Sequence, residues 1–363
     1  MTRYPAMAKS ARGRVFHIDT DANGVTVAAY LRRRLELSWA AAEKFVRSRR
    51  VTIHGNLCSD AARRLRTGDV VKVLDLPAPA PPGPADVRIV HLDDAVVVVD
   101  KPPGMTTTRH HEEADWPKRR RQLQPTLDEL LPTVIGRHLA DRAGSRRKVG
   151  KRGVAGRPAK PRRVPPVRAV HRIDRETSGL LVFARTVPAS RILAEQFRLH
   201  ATERRYLAVA VGRVGEGTIR SHLVRDRGDG RRGSGDQGQG KRAVTHVRPL
   251  EHYGDAYTLV ECRLETGRTH QIRIHLAESG HPVCGERVYT APPAAAAVDR
   301  SAAPRVALHA AELGFVHPVS GARVFYAAAL PPDLKGLVER LAAAHGRAPP
   351  TTVVGTRESA KTS

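Results

Sequence analysis

The sequence predicts an α+β protein in which a small helix-led unit precedes a larger, mostly antiparallel, strand-rich domain. Three observations carry this. Apolar residues at helical spacing are concentrated early, at Val27, Leu31 and Leu35 and then at Ala41, Phe45 and Val46. From residue 89 onward, short apolar runs bounded by turn residues dominate. Between the two lies Leu76–Pro84 (LPAPAPPGP), a Pro-rich segment of the stiff, extended kind. A chain of 363 residues has room for about two such domains.

In order, residues 1–14 read as an N-terminal tail and 15–76 as the first unit, with 77–88 as linker. Within the first unit the helix pair is followed by strands at Val51–Ile53 and Val70–Leu74, with turns at His54-Gly55-Asn56 and Thr67-Gly68-Asp69. The second domain spans 89–340. Its predicted strands are Ile89–Leu92, Val96–Val99, Val170–Ile173, Leu180–Ala184, Tyr206–Val211 and Tyr257–Leu264. Pro188–His200 predicts an amphipathic helix, and Thr269–Ser279 a capped one ended by Gly280. Two stretches interrupt this domain. Residues 109–168 form a basic insert with 17 Lys+Arg against 6 Asp+Glu, and its Arg142–Pro166 portion is too polar to offset its chain entropy. Residues 225–242 are Gly-rich and read as a flexible loop. Residues 341–363 read as a tail.

The formal net charge is +26, from 62 Lys+Arg and 36 Asp+Glu. Such a surplus points to a polyanionic partner, nucleic acid or an acidic membrane. No run approaches the ~18 apolar residues of a membrane span, and the N-terminus lacks the apolar core of a secretory signal. Cys58, Cys262 and Cys284 form no CxxC pair, which fits a reducing cytoplasm. There is no Rossmann GxGxxG and no P-loop. His270, His275 and His281 lack a Cys or carboxylate partner at zinc-like spacing, so neither metal nor cofactor is expected. His309 and His317 read as structural.

The most specific signal is His171–Arg185, HRIDRETSGLLVFAR. Asp174 lies where a strand meets a turn, and Arg172 and Arg175 flank it; nearby cations favour an ionised carboxylate, which suits a nucleophile or base. On spacing alone, Asp174 could equally cap a turn. Further blocks follow in order: Asp100-Lys-Pro-Pro-Gly104, Arg205-Tyr206-Leu207-Ala208, Lys241–Thr245 (KRAVT), Leu264–Tyr289 and Leu308–Gly321. Together these resemble the motif set of the RluA family of RNA pseudouridine synthases, over about residues 15–340 apart from the two low-complexity stretches. The departures are small: Ile173 for Leu, Glu286 for Asp, Asp100 for Asn, and Arg205 where Lys is usual before the Tyr.

The resemblance implies isomerisation of uridine to pseudouridine within RNA, without cofactor. It implies that Asp174 is the catalytic carboxylate, attacking C1′ or taking a 2′ proton. Tyr206 would stack on the uracil, although its alternation with apolar residues also suits a core position. Arg273 would pair with Asp174, with Arg268 as its rival, and Arg172 would fill the gap left by a flipped nucleotide. The first unit is similar to the S4 RNA-binding domain through RRVTIHGN (Arg49–Asn56) and RTGDVVKV (Arg66–Val73). That similarity implies phosphate contacts from Arg47, Arg49, Arg50, Arg63, Arg64 and Arg66. The RNA would be large-subunit ribosomal RNA or, alternatively, transfer RNA, and a non-catalytic RNA binder of the same fold is the other class of reading.

Overall fold

The computed structural model describes residues 13–53, 56–78, 80–109, 125–147, 164–227, 231–236, 239–289 and 298–347. They fall into two compact units that meet in sequence at Pro81/Pro82, inside the expected linker.

In the first unit, α1 (Val27–Leu35) and α2 (Trp39–Arg47) start on hydroxyl caps, Thr26 accepting from the Ala29 amide and Ser38 from the Ala41 amide. A four-stranded sheet follows in the order β1-β4-β2-β3, from β1 (Gly13–His17), β2 (Val51–Ile53), β3 (Asn56–Leu57) and β4 (Val70–Leu74). Val27, Leu31, Val46, Val51, Ile53 and Leu65 fill its core. The unit begins earlier than the expected residue 15: Gly13 pairs with Leu74. Edge pairing needs only backbone donors and acceptors, so no apolar pattern announces it.

The second unit is built on one eleven-stranded sheet. Its strands are β5 (Arg88–Leu92), β6 (Val96–Lys101), β7 (Arg168–Ala169), β8 (Ser178–Ala184), β9 (Glu203–Val211), β10 (Gly217–Val224), β11 (Gly233–Ser234), β12 (Lys241–Tyr253), β13 (Tyr257–Leu264), β14 (Leu308–Val316) and β15 (Arg323–Ala327). The main path runs β11-β10-β12-β13-β9-β14-β8-β6-β5, with β15 on β14 and β7 on β8. Every pairing is antiparallel except β14 with β8. There the Ala310 carbonyl comes so close that a Cβ on Gly179, at φ +113°, would lie 2.2 Å from it. Only glycine fits this crossing.

The centre of the sheet is covered on both faces, which explains its unbroken apolar runs. Val97, Val99, Leu181 and Phe183 turn to one core, Val96, Val98, Leu180 and Val182 to another. The second core also takes Ala189 and Leu193 of α4 (Val187–Arg198). The first takes residues of α5 (Gln271–Glu278) and α6 (Pro332–Ala344).

Three further expectations change. Residues 127–147 of the expected basic insert form a helix, α3 (Leu127–Arg147). Leu127, Leu131, Val134 and Ile135 make an apolar stripe buried against the sheet. Residues 110–124 and 148–163 of that insert lie outside the described residues. In the expected Gly-rich loop 225–242, Gly233–Ser234 pairs with β10 and β12 already starts at Lys241. The expected tail at 341 is still helix, since α6 runs to Ala344 with Leu341 and Ala342 buried. Among the described residues no helix is long and apolar enough to cross a membrane.

Candidate active site

The segment from Val170 to Thr177 carries the site. The expected strand Val170–Ile173 is absent; ladder pairing stops at Ala169. Side chains replace the ladder. His171 Nε2 accepts the Val182 amide at 3.1 Å, and its ring stacks on Phe197 at 4.2 Å. Burial pushes this imidazole down to about 3, consistent with an acceptor nitrogen that carries no proton.

The backbone around Asp174 is held on every side. The Thr107 hydroxyl donates to the Ile173 carbonyl at 2.9 Å, and the Thr177 amide donates to that of Asp174 at 3.1 Å. The Arg175 carbonyl takes the Gly104 amide at 2.8 Å and Lys101 Nζ at 3.0 Å. Arg305 Nη1 donates to the Glu176 carbonyl at 2.9 Å. Lys101 is fully buried at the end of β6, and its ammonium also donates to the Pro102 and Met105 carbonyls, each at 2.9 Å. Burial pushes the Lys101 pKa down to about 7, and this one side chain ties the Lys-Pro-Pro-Gly turn to the Asp174 loop.

The Asp174 side chain is 16% exposed, with Oδ2 3.4 Å from Arg273 Nη1 and Oδ1 3.8 Å from His270 Nε2. Arg273 comes from α5, 99 positions away in sequence. It is anchored from behind by Glu286, Nε to Oε2 at 2.6 Å and Nη2 to Oε1 at 2.8 Å, and by the Tyr289 ring at 5.2 Å. Burial alone would raise the Glu286 carboxyl, but its bonds to Arg273 and to the Val288 and Arg287 amides outweigh this and hold it below the ordinary range. His270 sits in the left-handed region at φ 59° and joins Tyr289 through Nδ1 at 2.7 Å; burial lowers the imidazole. Tyr206, on β9, is buried, which pushes its phenol up to about 12, and it feels the Asp174 charge. It stays protonated at neutral pH.

Asp174, Arg273 and Tyr206 thus share one electrostatic environment. Arg268 does not take the place of Arg273: its Nε donates to the Arg242 carbonyl at 3.1 Å. Arg172 is exposed beside Asp174 in sequence. Arg205 turns away from Tyr206, as neighbours on a strand do, into buried bonds with Glu261 at 3.2 Å and Glu312 at 2.6 Å. In the first unit Arg47, Arg64 and Arg66 are exposed, while Arg49, Arg50 and Arg63 are half-buried. Arg49 donates to the Ala78 carbonyl at 2.9 Å, Arg50 to that of Leu74 at 2.9 Å, and Arg64 to that of Gly24 at 2.7 Å. Sequence reasoning gave no role to Lys101, Glu286, His270 or Tyr289. The signal for Lys101 is a lysine closing a strand that opens with four valines; for the others it is only their place within a motif.

A family model described as RNA pseudouridylate synthase matches residues 95–278. The Ribosomal large subunit pseudouridine synthase D of Zymomonas mobilis subsp. mobilis is 38% identical over 294 residues, covering 79% of this chain and 84% of that protein. The Uncharacterized RNA pseudouridine synthase YlyB of Bacillus subtilis is 34% identical over 310 residues, covering 82% and 88%. The solved structure of Human RNA Pseudouridylate Synthase Domain Containing 4 aligns with a TM-score of 0.51 at 21% identity, over 70% of this chain and 92% of that one, a likeness of fold.

Proposed function

The chain belongs to the RNA pseudouridylate synthase family, and on that premise we propose that it isomerises a uridine of large-subunit ribosomal RNA to pseudouridine, with Asp174 as the catalytic carboxylate. In this reaction the N1–C1′ bond breaks, the uracil turns, and C5 bonds to C1′; the C5 proton leaves and N1 gains one. Nothing is oxidised or reduced.

The observation that carries the reading is the carboxylate of Asp174, partly open to solvent and 3.4 Å from a guanidinium that a buried glutamate holds in place. A fixed cation lets the carboxylate act at the ribose with little reorganisation. Tyr206 is 8% exposed and lies in the field of Asp174, so stacking on the uracil requires that its ring be uncovered when RNA binds. The exposure of Arg172, two positions before Asp174, supports a role in filling the stack vacated by the extruded base, which would offset part of the few kcal/mol of flipping. The name of the Zymomonas relative supports the ribosomal target, and the net charge of +26 fits an RNA substrate of either kind. Asp174→Asn should retain RNA binding and abolish pseudouridine formation, as read by tritium release or mass mapping. Turnover comparable with the wild type removes Asp174 from the mechanism.

We further propose that residues 15–76 act as an S4 RNA-binding domain and that the protein works in the cytoplasm. A helix pair on a small sheet, with Arg47, Arg64 and Arg66 exposed, supports the first. Three buried thiols support the second. Joint change of the exposed Arg47, Arg64 and Arg66 to Ala should weaken RNA binding and flatten its salt dependence; an unaltered slope argues against that assignment.

A further inference from the structure

Arg204 lies two residues before Tyr206 on β9, and a strand turns such residues to the same face. Its Nη2 donates to the Glu265 carbonyl at 3.1 Å, and its guanidinium carbon is 5.9 Å from the centre of the Phe197 ring. Phe197 in turn stacks on His171, three positions before Asp174. Gly267 makes room for the guanidinium, since a Cβ there would lie 2.5 Å from Nη1. Burial lowers the pKa of this arginine, and the neighbouring Arg268 lowers it further.

No ion pair among the described residues includes Arg204. Its Nε and the Thr202 hydroxyl are the two buried side-chain N/O atoms without a hydrogen-bond partner among the described residues. Both stand on the same three-residue stretch of chain. A largely buried guanidinium without a carboxylate is an expensive arrangement unless an anion from outside completes it. The surroundings are cationic as well. Burial lowers the His200 imidazole, and Arg204, Arg268 and Arg242 lower it further. The carboxylate nearby, Glu265, is already engaged by Arg242 at 3.0 Å and His246 at 2.9 Å.

We propose that Arg204, together with Arg242 and Arg268, forms a phosphate-binding site that grips a backbone phosphodiester of the substrate RNA beside the extruded uridine. The inference rests on the RNA-modifying reading above and adds to it an anion site on the Tyr206 face of β9. Arginine suits the task because its planar fork meets two phosphate oxygens at once. Holding the backbone here would fix the nucleotide next to Asp174 while the base turns.

The test is equilibrium binding of the full-length protein to transcribed large-subunit ribosomal RNA across a KCl series. Arg204→Gln should bind about tenfold more weakly at low salt, and the slope of log K against log salt should shrink by about one. Arg204→Lys, which keeps the charge, should retain the wild-type slope. Wild-type slopes for a folded Arg204→Gln protein overturn the site, and so does a folded Arg204→Lys protein that loses the slope as fully as the glutamine variant. Wild-type protein that binds this RNA yet forms no pseudouridine in it sinks the enzymatic reading instead, so the two failures are told apart.

Discussion

Replacing Glu286 by glutamine removes one charge from a buried pair and leaves the shape nearly intact. Glu286 is 1% exposed and Arg273 9%, so solvent screens their interaction little. Stripping one partner from such a pair costs about 3–5 kcal/mol. Three compensations reduce this. The amide oxygen still accepts one of the two Arg273 bonds and the backbone amides of Arg287 and Val288, at 2.9 and 2.8 Å. Asp174 remains 3.4 Å from Nη1, and the Tyr289 ring still faces the guanidinium. A net loss of about 2–3 kcal/mol follows, read as a shift in the urea midpoint at constant m-value. The guanidinium then leans on Asp174 as its remaining anion and loses its fixed direction. Pseudouridine formation should therefore fall by about tenfold or more in kcat, while RNA affinity changes little, because the pair lies behind the carboxylate. Glu286→Asp keeps the charge and should lie between the two. A Glu286→Gln protein within about 0.5 kcal/mol of wild type and with an unchanged rate would refute the view that this glutamate holds the site.

Other expectations can be checked by the same assays. Lys101→Met keeps volume but strands the Pro102 and Met105 carbonyls and weakens the hold on Arg175; it should cost about 2–4 kcal/mol and slow turnover through a loosened Asp174 loop. A stability near wild type would show that the lysine is not a tie. Acidification gives a separate signature. His171, His275 and His309 are pushed by burial down to about 3, about 4 and about 4. In the unfolded chain they titrate near 6.5, so between these values the unfolded state binds protons that the folded state refuses. Stability is therefore intact above about pH 6.5 and falls below it, by about 1 kcal/mol per imidazole between pH 6.5 and 5.5. The carboxylates lowered by their partners, such as Glu261 and Glu286, contribute only further down, as pH falls below their unfolded range. Urea midpoints that stay flat across that interval would contradict it.

Much of the site was readable from residue order because its parts lie in contiguous blocks. The HRID segment named Asp174, and the QIR segment named Arg273. The competition between Arg268 and Arg273 was not readable, since both are arginines on one short stretch, and only the fold puts Arg273 on α5 within reach of the carboxylate while Arg268, before the helix, bonds the Arg242 carbonyl. Arg204 and Arg205 make the same point. Adjacent and identical in type, they part because a strand alternates its faces, one to Tyr206 and the other to Glu261 and Glu312. Helix α3 went unseen for the opposite reason: four apolar residues at helical spacing stood inside a stretch whose charge dominated its composition.

Local chemistry alone determined the helix caps at Thr26 and Ser38, the apolar strand runs, the turn into which Asp174 is set, and the basic character that points to RNA. These depend on neighbours a few positions apart. What stands behind the carboxylate depended on the assembled sheet. Glu286 braces Arg273, Lys101 ties two loops, and Arg204 faces Tyr206 with a donor unspent, because pairing β9 with β13 and β14 and packing α5 beside them brings distant charges within a few ångströms. Whether a buried charge meets a counter-ion, as Arg273 does, or only backbone carbonyls, as Lys101 does, is settled by the fold, and sequence distance carries no record of it.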